Sequence, residues 1–284
     1  MGNVIEHTAM FSMSNGCPCR KINADDYVNL QTGEILPYRH IEDRSGSERS
    51  IRKTLSRIRD LINTNITVPE NCRWITLTYR ENMTDSRRLY KDYEKFWKRF
   101  IYYCSRKVIP KPEYISVVEP QGRGAWHVHA FFIWREKAPF ISNDALAALW
   151  RFGFVKIKAV KGDVDNVGAY FTAYLGDIPL EEVDQIALDT CSVEEKEFED
   201  ELGVRKKKKF VKGGRLRLYP PGMNILRCSC GVARPISEWL TYKEASEKAS
   251  AATETFSRTY EIMDDDGEKI NTITKKYFNT KRRE

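Results

Sequence analysis

Between residues 73 and 176 the hydrophobic positions switch repeatedly between a period of two and a period near 3.6. These are the marks of strand and helix. Arg73 to Tyr79 alternates strictly, with Ile75, Leu77 and Tyr79 on one face and Trp74, Thr76 and Thr78 on the other, which predicts a strand. A helix is predicted from about Asp85 to Arg106, capped by Asp85 or Ser86 and burying Leu89, Tyr93, Phe96, Phe100 and Cys104. Pro110 and Pro112 then break the chain. Tyr114 to Glu119 and Trp126 to Trp134 read as two strands, close enough across Gln-Gly-Arg-Gly to pair antiparallel. Ser142 or Asn143 opens a short helix through Arg151, stopped by Gly153. Phe154 to Val160 is a fourth strand. From Asp163 or Asp165 a helix runs to about Leu175, closed by Gly176, Asp177 and Pro179.

The order β-α-β-β-α-β-α predicts an α+β fold, a mainly antiparallel central sheet with flanking helices, plus N- and C-terminal extensions. Ahead of it, Ser47 to Asn63 places Ile51, Leu55, Ile58 and Ile62 at helical spacing among five arginines and lysines. Such a helix either contacts phosphates or simply packs with a solvated face. Four regions are expected: an N-terminal extension over 1–46, a catalytic domain over 47–180, an acidic connector and basic accessory segment over 181–242, and a polar C-terminal segment over 243–284. In the last, Thr259–Met263 and Ile270–Phe278 are expected to form a hairpin across Asp-Asp-Asp-Gly.

Composition narrows the class. With 284 residues, 41% of them hydrophobic, the chain can bury a sizeable core. Its longest strongly apolar stretch, Ala130 to Trp134, is far too short to span a bilayer. The N-terminus shows neither a secretory pattern nor a myristoylation motif, since Glu6 stands where Ser or Thr is needed. Seven cysteines fit a reducing compartment better than a disulfide framework, and a cytoplasmic setting is expected. The net charge of +7 suits an anionic partner. Its arrangement says more: Glu181 to Glu201 is strongly acidic, whereas Arg205 to Arg217 is strongly basic with no acidic residue.

Two of only four histidines, His127 and His129, fall two apart in a predicted strand and therefore share a face. Two imidazoles and a carboxylate leave open positions on a metal for phosphate oxygen and water. Glu119, ending the neighbouring strand, is the candidate third ligand. Tyr170 and Tyr174 stand one helical turn apart on one face. On their own they read better as core aromatics on a helix; near a cation that polarises a phosphate, a phenol becomes a useful nucleophile.

Trp74-Ile-Thr-Leu-Thr-Tyr79, Glu119-Pro-Gln-Gly-Arg-Gly-Ala-Trp-His-Val-His129 and Val167-Gly-Ala-Tyr-Phe-Thr-Ala-Tyr174 together resemble the three ordered motifs of the HUH endonuclease superfamily. More narrowly, they are similar to the rolling-circle replication initiators of small bacterial plasmids and phages. Leu149 to Val155 resembles a helix-to-strand junction common there, and Arg215 to Pro235 a segment that follows the catalytic domain in some members. The resemblance implies Mg²⁺ or Mn²⁺ on His127, His129 and Glu119, and attack by Tyr170 on the scissile phosphate. The product would be a 5′-phosphotyrosine and a free 3′-OH; Tyr174 occupies the place of a second nucleophile. Where the family has a lysine three residues after a catalytic tyrosine, this chain has Ala173 and Asp177. Lys156 or Lys158 would then stabilise the phenolate, and Asp177 is an alternative contributor to the metal site.

Thr76, Thr78, Arg123, Lys156, Lys158 and the run Lys206, Lys207, Lys208 and Lys209 are the expected DNA contacts. A solvated charge run explains the four lysines almost as well. Trp74, Trp126 and Trp134 either stack bases or pack in the core. Cys17, Cys19, Cys228 and Cys230 offer four thiolates for zinc, though Cys-x-Cys spacing is tighter than usual. The expected partners are single-stranded origin DNA and, because no helicase-type phosphate loop is present, a host helicase together with a DNA polymerase. Competing readings are a single-strand transposase or relaxase, and a non-catalytic single-strand-binding relative.

Overall fold

The computed structural model describes residues 2–11, 19–38, 48–160, 166–182, 193–199, 205–211, 213–220, 222–263 and 267–282. The chain divides into two units, one of Met1–Asn3 with Asp43–Ser237 and one of Val4–Glu42 with Glu238–Glu284. Strands β1 (Val4–Met10), β2 (Cys19–Lys21), β3 (Asp26–Asn29) and β4 (Ile35–Pro37) belong to the smaller unit.

The larger unit opens with helix α1 (Glu48–Asn65), followed by β5 (Cys72–Tyr79), α2 (Ser86–Arg106), β6 (Glu113–Pro120) and β7 (Trp126–Ile133). Next come α3 (Asn143–Trp150), β8 (Gly153–Ala159), α4 (Val167–Gly176) and β9 (Ile178–Pro179), then β10 (Val193–Glu199), β11 (Arg205–Val211) and β12 (Leu226–Cys228). The order expected over 73–176 is therefore present. Its sheet is antiparallel throughout and has the strand order β12-β6-β7-β5-β8. Sequence patterning missed the edge strand β12, whose three residues are too few to show a period of two.

One face of this sheet carries the core. Ile75, Leu77 and Tyr79 of β5 and Val128, Ala130 and Phe132 of β7 are buried there beneath α2 and α3. Phe96 and Phe100 of α2 lie against Phe132, and Trp150 of α3 lies against Tyr79 and Phe96. Each such fully buried aromatic contributes about 1.5–3 kcal/mol through removal of apolar surface from water. Asp85 caps α2, accepting hydrogen bonds from the Arg87 and Arg88 backbone N–H groups, and Ser142 caps α3. The left-handed residue that ends α3 is Arg151, at φ 72°, and not Gly153. Gly153 instead opens β8, where a Cβ would lie 2.3 Å from the Thr78 carbonyl oxygen. Backbone approach, not helix termination, is what requires glycine there.

The opposite face of the sheet meets α4, which packs against α1. Asn166 caps α4, its side chain accepting from the Ala169 N–H; Asp163 and Asp165 lie outside the described residues. Gly168 touches α1 so closely that a Cβ would stand 2.4 Å from the Arg59 carbonyl oxygen. Trp126 and Trp134 are buried, their indole N–H groups donating to the Thr84 and Pro110 carbonyls, so they pack in the core.

Part of the acidic segment pairs with part of the basic one. β10 pairs antiparallel with β11, setting Glu195 opposite Lys209 and Glu197 opposite Lys207, and β11 pairs on with β9. In the smaller unit, helix α5 (Tyr242–Ala249) starts with a complete capping box formed by Thr241 and Glu244. Strands β13 (Thr253–Met263) and β14 (Lys269–Asn279) pair antiparallel, and β1 adds to the far side of β14. β2, β3 and β4 make a separate meander.

Candidate active site

Strand register determines which residues meet on the α4-facing side of the sheet. Glu119 of β6 lies opposite His127 of β7, His127 opposite Thr78 of β5, and Thr78 opposite Phe154 of β8. The next row is Val117, His129, Thr76 and Lys156; the third is Ile115, Phe131, Trp74 and Lys158. The sequence-predicted residues Glu119, His127, His129, Thr76, Thr78, Lys156 and Lys158 thus share one face, with the two lysines exposed at its β8 edge. Lys158 Nζ stands 5.7 Å from the centre of the Trp74 ring.

Glu119, His127 and His129 form a group whose ligand atoms all lie within 4.8 Å of one another. His129 is held at both ring nitrogens: Nδ1 is 3.1 Å from Thr76 Oγ1, and Nε2 contacts Glu119 Oε2. His127 Nε2 is buried and has no hydrogen-bond partner among the described residues. Leaving a buried ring nitrogen unsatisfied is costly, and a cation at this point would use it. Burial lowers the His127 pKa to about 4, so its imidazole is neutral at physiological pH, the form that ligates metal. For Glu119, burial pushes the carboxyl pKa upward, but His129, Arg215 and His127 outweigh it and hold the group below the usual range. The donor set fits a divalent cation.

Arg215 is the residue that sequence reading did not single out. Its side chain is only 7% exposed, and Nη1 lies 2.7 Å from Glu119 Oε1. The same nitrogen donates to the Pro120 carbonyl at 2.7 Å, while Nε donates to the Asp177 carbonyl at 3.1 Å. A lone arginine in a basic segment gives no sign of such a role. The Asp177 carboxylate accepts from the Gly213 N–H at 3.0 Å, and Asp177 is not part of the metal-ligand group.

Helix α4 brings Tyr170 to this face. Phe171 is fully buried against His129, Phe131 and Trp74, which seats the helix on the sheet. Tyr170 is 48% exposed, with its ring edge-on to Trp74 at 6.3 Å; Trp74 in turn lies 6.2 Å from His129. Tyr174 stands one turn further along α4, and its side chain lies outside the described residues. Asn63 of α1 anchors the start of the helix. Its amide accepts from the Gly168 N–H at 2.9 Å and donates to Asn166 Oδ1 at 2.8 Å. A single buried asparagine is not distinguishable by sequence from any polar residue late in a helix.

The remaining expectations fall elsewhere. Arg123 is exposed on the β6–β7 loop and donates to Gln121 Oε1. Lys207 and Lys209 are exposed on β11, with Lys207 Nζ 3.3 Å from Glu195; the Lys206 and Lys208 side chains lie outside the described residues. Cys17 also lies outside them, and Cys19 belongs to a different unit from Cys228 and Cys230.

An antiparallel sheet bearing a two-histidine, one-carboxylate group beside a tyrosine helix defines the class of site. A family model described as "Replication-associated protein ORF2/G2P" matches residues 72–178, a span that contains Glu119, His127, His129, Tyr170 and Tyr174. Over these residues the chain is similar to that replication-associated family. No curated protein and no solved structure matches the chain. Arg215 lies beyond the matched residues. Among the described residues, no helix is long and apolar enough to cross a membrane.

Proposed function

We propose that this chain is an HUH-type rolling-circle replication initiator, which nicks and rejoins single-stranded DNA at an origin through a tyrosine. The observation that carries the reading is the Glu119, His127 and His129 group on the same sheet face that α4 covers with exposed Tyr170. Glu119, His127 and His129 would hold Mg²⁺ or Mn²⁺, which as a Lewis acid draws charge from the scissile phosphate.

In this reading the Tyr170 phenol oxygen attacks phosphorus and gives up its proton as the new P–O bond forms. The bond to the 3′ oxygen breaks, and that oxygen takes up a proton. The products are a 5′-phosphotyrosine and a 3′-OH that primes synthesis by a DNA polymerase. Reversal with another 3′-OH rejoins the strand and frees the tyrosine; Tyr174 serves as the second nucleophile. Lys156 and Lys158, exposed on the same face, supply positive charge in place of the lysine missing from α4. Thr76, Thr78 and Arg123, with the β11 lysines, contact the DNA strand. A host helicase opens the duplex, in the cytoplasm of a bacterial host.

Incubation of the protein with Mn²⁺ and labelled single-stranded candidate-origin oligonucleotides tests this reading. A protein–DNA adduct that survives denaturant is expected, and EDTA abolishes it. Failure on every candidate strand contradicts the endonuclease reading and favours a non-catalytic binder. Adduct that persists in Tyr170→Phe but vanishes in Tyr174→Phe reverses the order of the nucleophiles.

A further inference from the structure

We infer that Arg215 makes the metal site nearly charge-neutral, so that cation binding is tied to the arrival of a DNA phosphate. The inference rests on the metal-site reading above and adds to it a coupling between two ligands. Glu119 is the single carboxylate of the ligand group, and His127 and His129 bring no negative charge. The Arg215 guanidinium sits 2.7 Å from the far oxygen of that carboxylate. It is fixed there by the Pro120 and Asp177 carbonyls, and its own backbone N–H donates to the Gly176 carbonyl at 3.1 Å. It is buried and bonded on several sides, which holds it beside Glu119.

A divalent cation entering this corner meets one negative and one positive charge, so the long-range attraction that usually favours it largely cancels. Arg123, on the neighbouring loop, adds positive potential at His127. Hard cations with few protein carboxylates complete their shells with substrate phosphate. A phosphodiester would supply the missing negative charge here, and by linkage the cation would strengthen DNA binding by the same factor. Arg215 is thus a positioning residue: it acts through Glu119, and its bonds to Gly176 and Asp177 hold the end of the tyrosine helix to the same corner. A plain structural clamp would make the opposite prediction, because its loss should only weaken the cation.

The test uses the full chain carrying Tyr170→Phe and Tyr174→Phe, so that bound DNA stays uncut. Mn²⁺ is titrated with and without an oligonucleotide that forms adduct with the unaltered protein, and free Mn²⁺ is read by electron paramagnetic resonance. Mn²⁺ should bind about tenfold or more tightly with the oligonucleotide present. Adding Arg215→Gln should tighten Mn²⁺ binding several-fold in the absence of DNA and shrink the coupling, whereas Arg215→Lys should keep it. Looser binding in Arg215→Gln without DNA, restored by Arg215→Lys, overturns the inference in favour of a clamp. Should Arg215→Gln not fold, the parent decides alone, because equal Mn²⁺ affinity with and without oligonucleotide also overturns it. No Mn²⁺ binding under either condition is a different result and removes the metal reading itself.

Discussion

The metal corner and the tyrosine helix are built by different means. Glu119, His127 and His129 stand on β6 and β7, inner strands of a five-stranded sheet, where register alone sets which side chains meet. A one-residue slip would turn all three to the other face and bury their polar atoms in the core. Tyr170 instead rides on a ten-residue helix held at its start by Asn63 and Gly168, at its middle by Phe171, and at its end by Arg215. The corner is therefore rigid because the fold is rigid, whereas the helix depends on a few named contacts. Loss of either histidine side chain should cost chemistry and spare stability. Changes at Asn63, Gly168 or Phe171 should cost both, while leaving cation binding intact; Arg215 belongs to both regions.

The largest effect is expected from the corner. His127→Ala or His129→Ala should slow adduct formation by about 1,000-fold or more, since a lost cation forfeits several kcal/mol of transition-state stabilisation. Tyr170→Phe should remove the adduct at that residue and leave Mn²⁺ affinity unchanged. If His129→Ala and Tyr170→Phe weaken Mn²⁺ binding equally, the two regions are not separate.

Acid should expose the corner next. His127 has a folded-state pKa of about 4 against an unfolded value near 6.5, so protonation favours the unfolded chain. The stability tied to this difference is fully present above about pH 6.5 and is lost as pH falls toward 4, on the order of 3 kcal/mol in the metal-free protein. Glu119, held below its ordinary range, loses its share in the same direction. Denaturant melts of the EDTA-treated protein across this range check the slope, and His127→Asn should flatten it.

Anchors of the helix come third. Gly168→Ala places a methyl 2.4 Å from the Arg59 carbonyl oxygen and should cost about 1–3 kcal/mol. Asn63→Ala leaves the Gly168 N–H without its acceptor and should cost a similar about 1–3 kcal/mol. Thermal melts together with Mn²⁺ titration check both, and retained cation affinity is the expected signature. The smallest effect belongs to the charged hairpin. Lys207→Ala removes an exposed pair with Glu195 and should change stability by less than about 1 kcal/mol. If Lys207 contacts DNA phosphate, the same variant should lower the salt dependence of binding by about one unit of slope.

Most of this architecture was legible because its elements are long and periodic. The strands at 73–79, 114–119 and 126–134 and the helix at 85–106 fall within a residue or two of β5, β6, β7 and α2. His127 and His129 share a face because side chains alternate along any strand, so the metal corner follows once the strand is recognised. Non-local pairing was less visible. β12 comes from a segment with no period, and β1 joins β14 from the opposite end of the chain. Within the acidic and basic runs, β10 and β11 pair with each other, which charge patterning alone does not reveal. Arg215 and Asn63 act through buried hydrogen bonds to residues distant in the chain, and such contacts leave no local pattern.

The central claim concerns the link between a tyrosine on α4 and a DNA phosphate. Protease digestion of the Mn²⁺-dependent adduct, followed by mass spectrometry of the nucleotide-bearing peptide, tests it directly. The account predicts a phosphodiester on Tyr170, with any secondary modification on Tyr174. Cleaved DNA that carries a free 5′-phosphate and no attached peptide, or a label on a tyrosine outside α4, would contradict it.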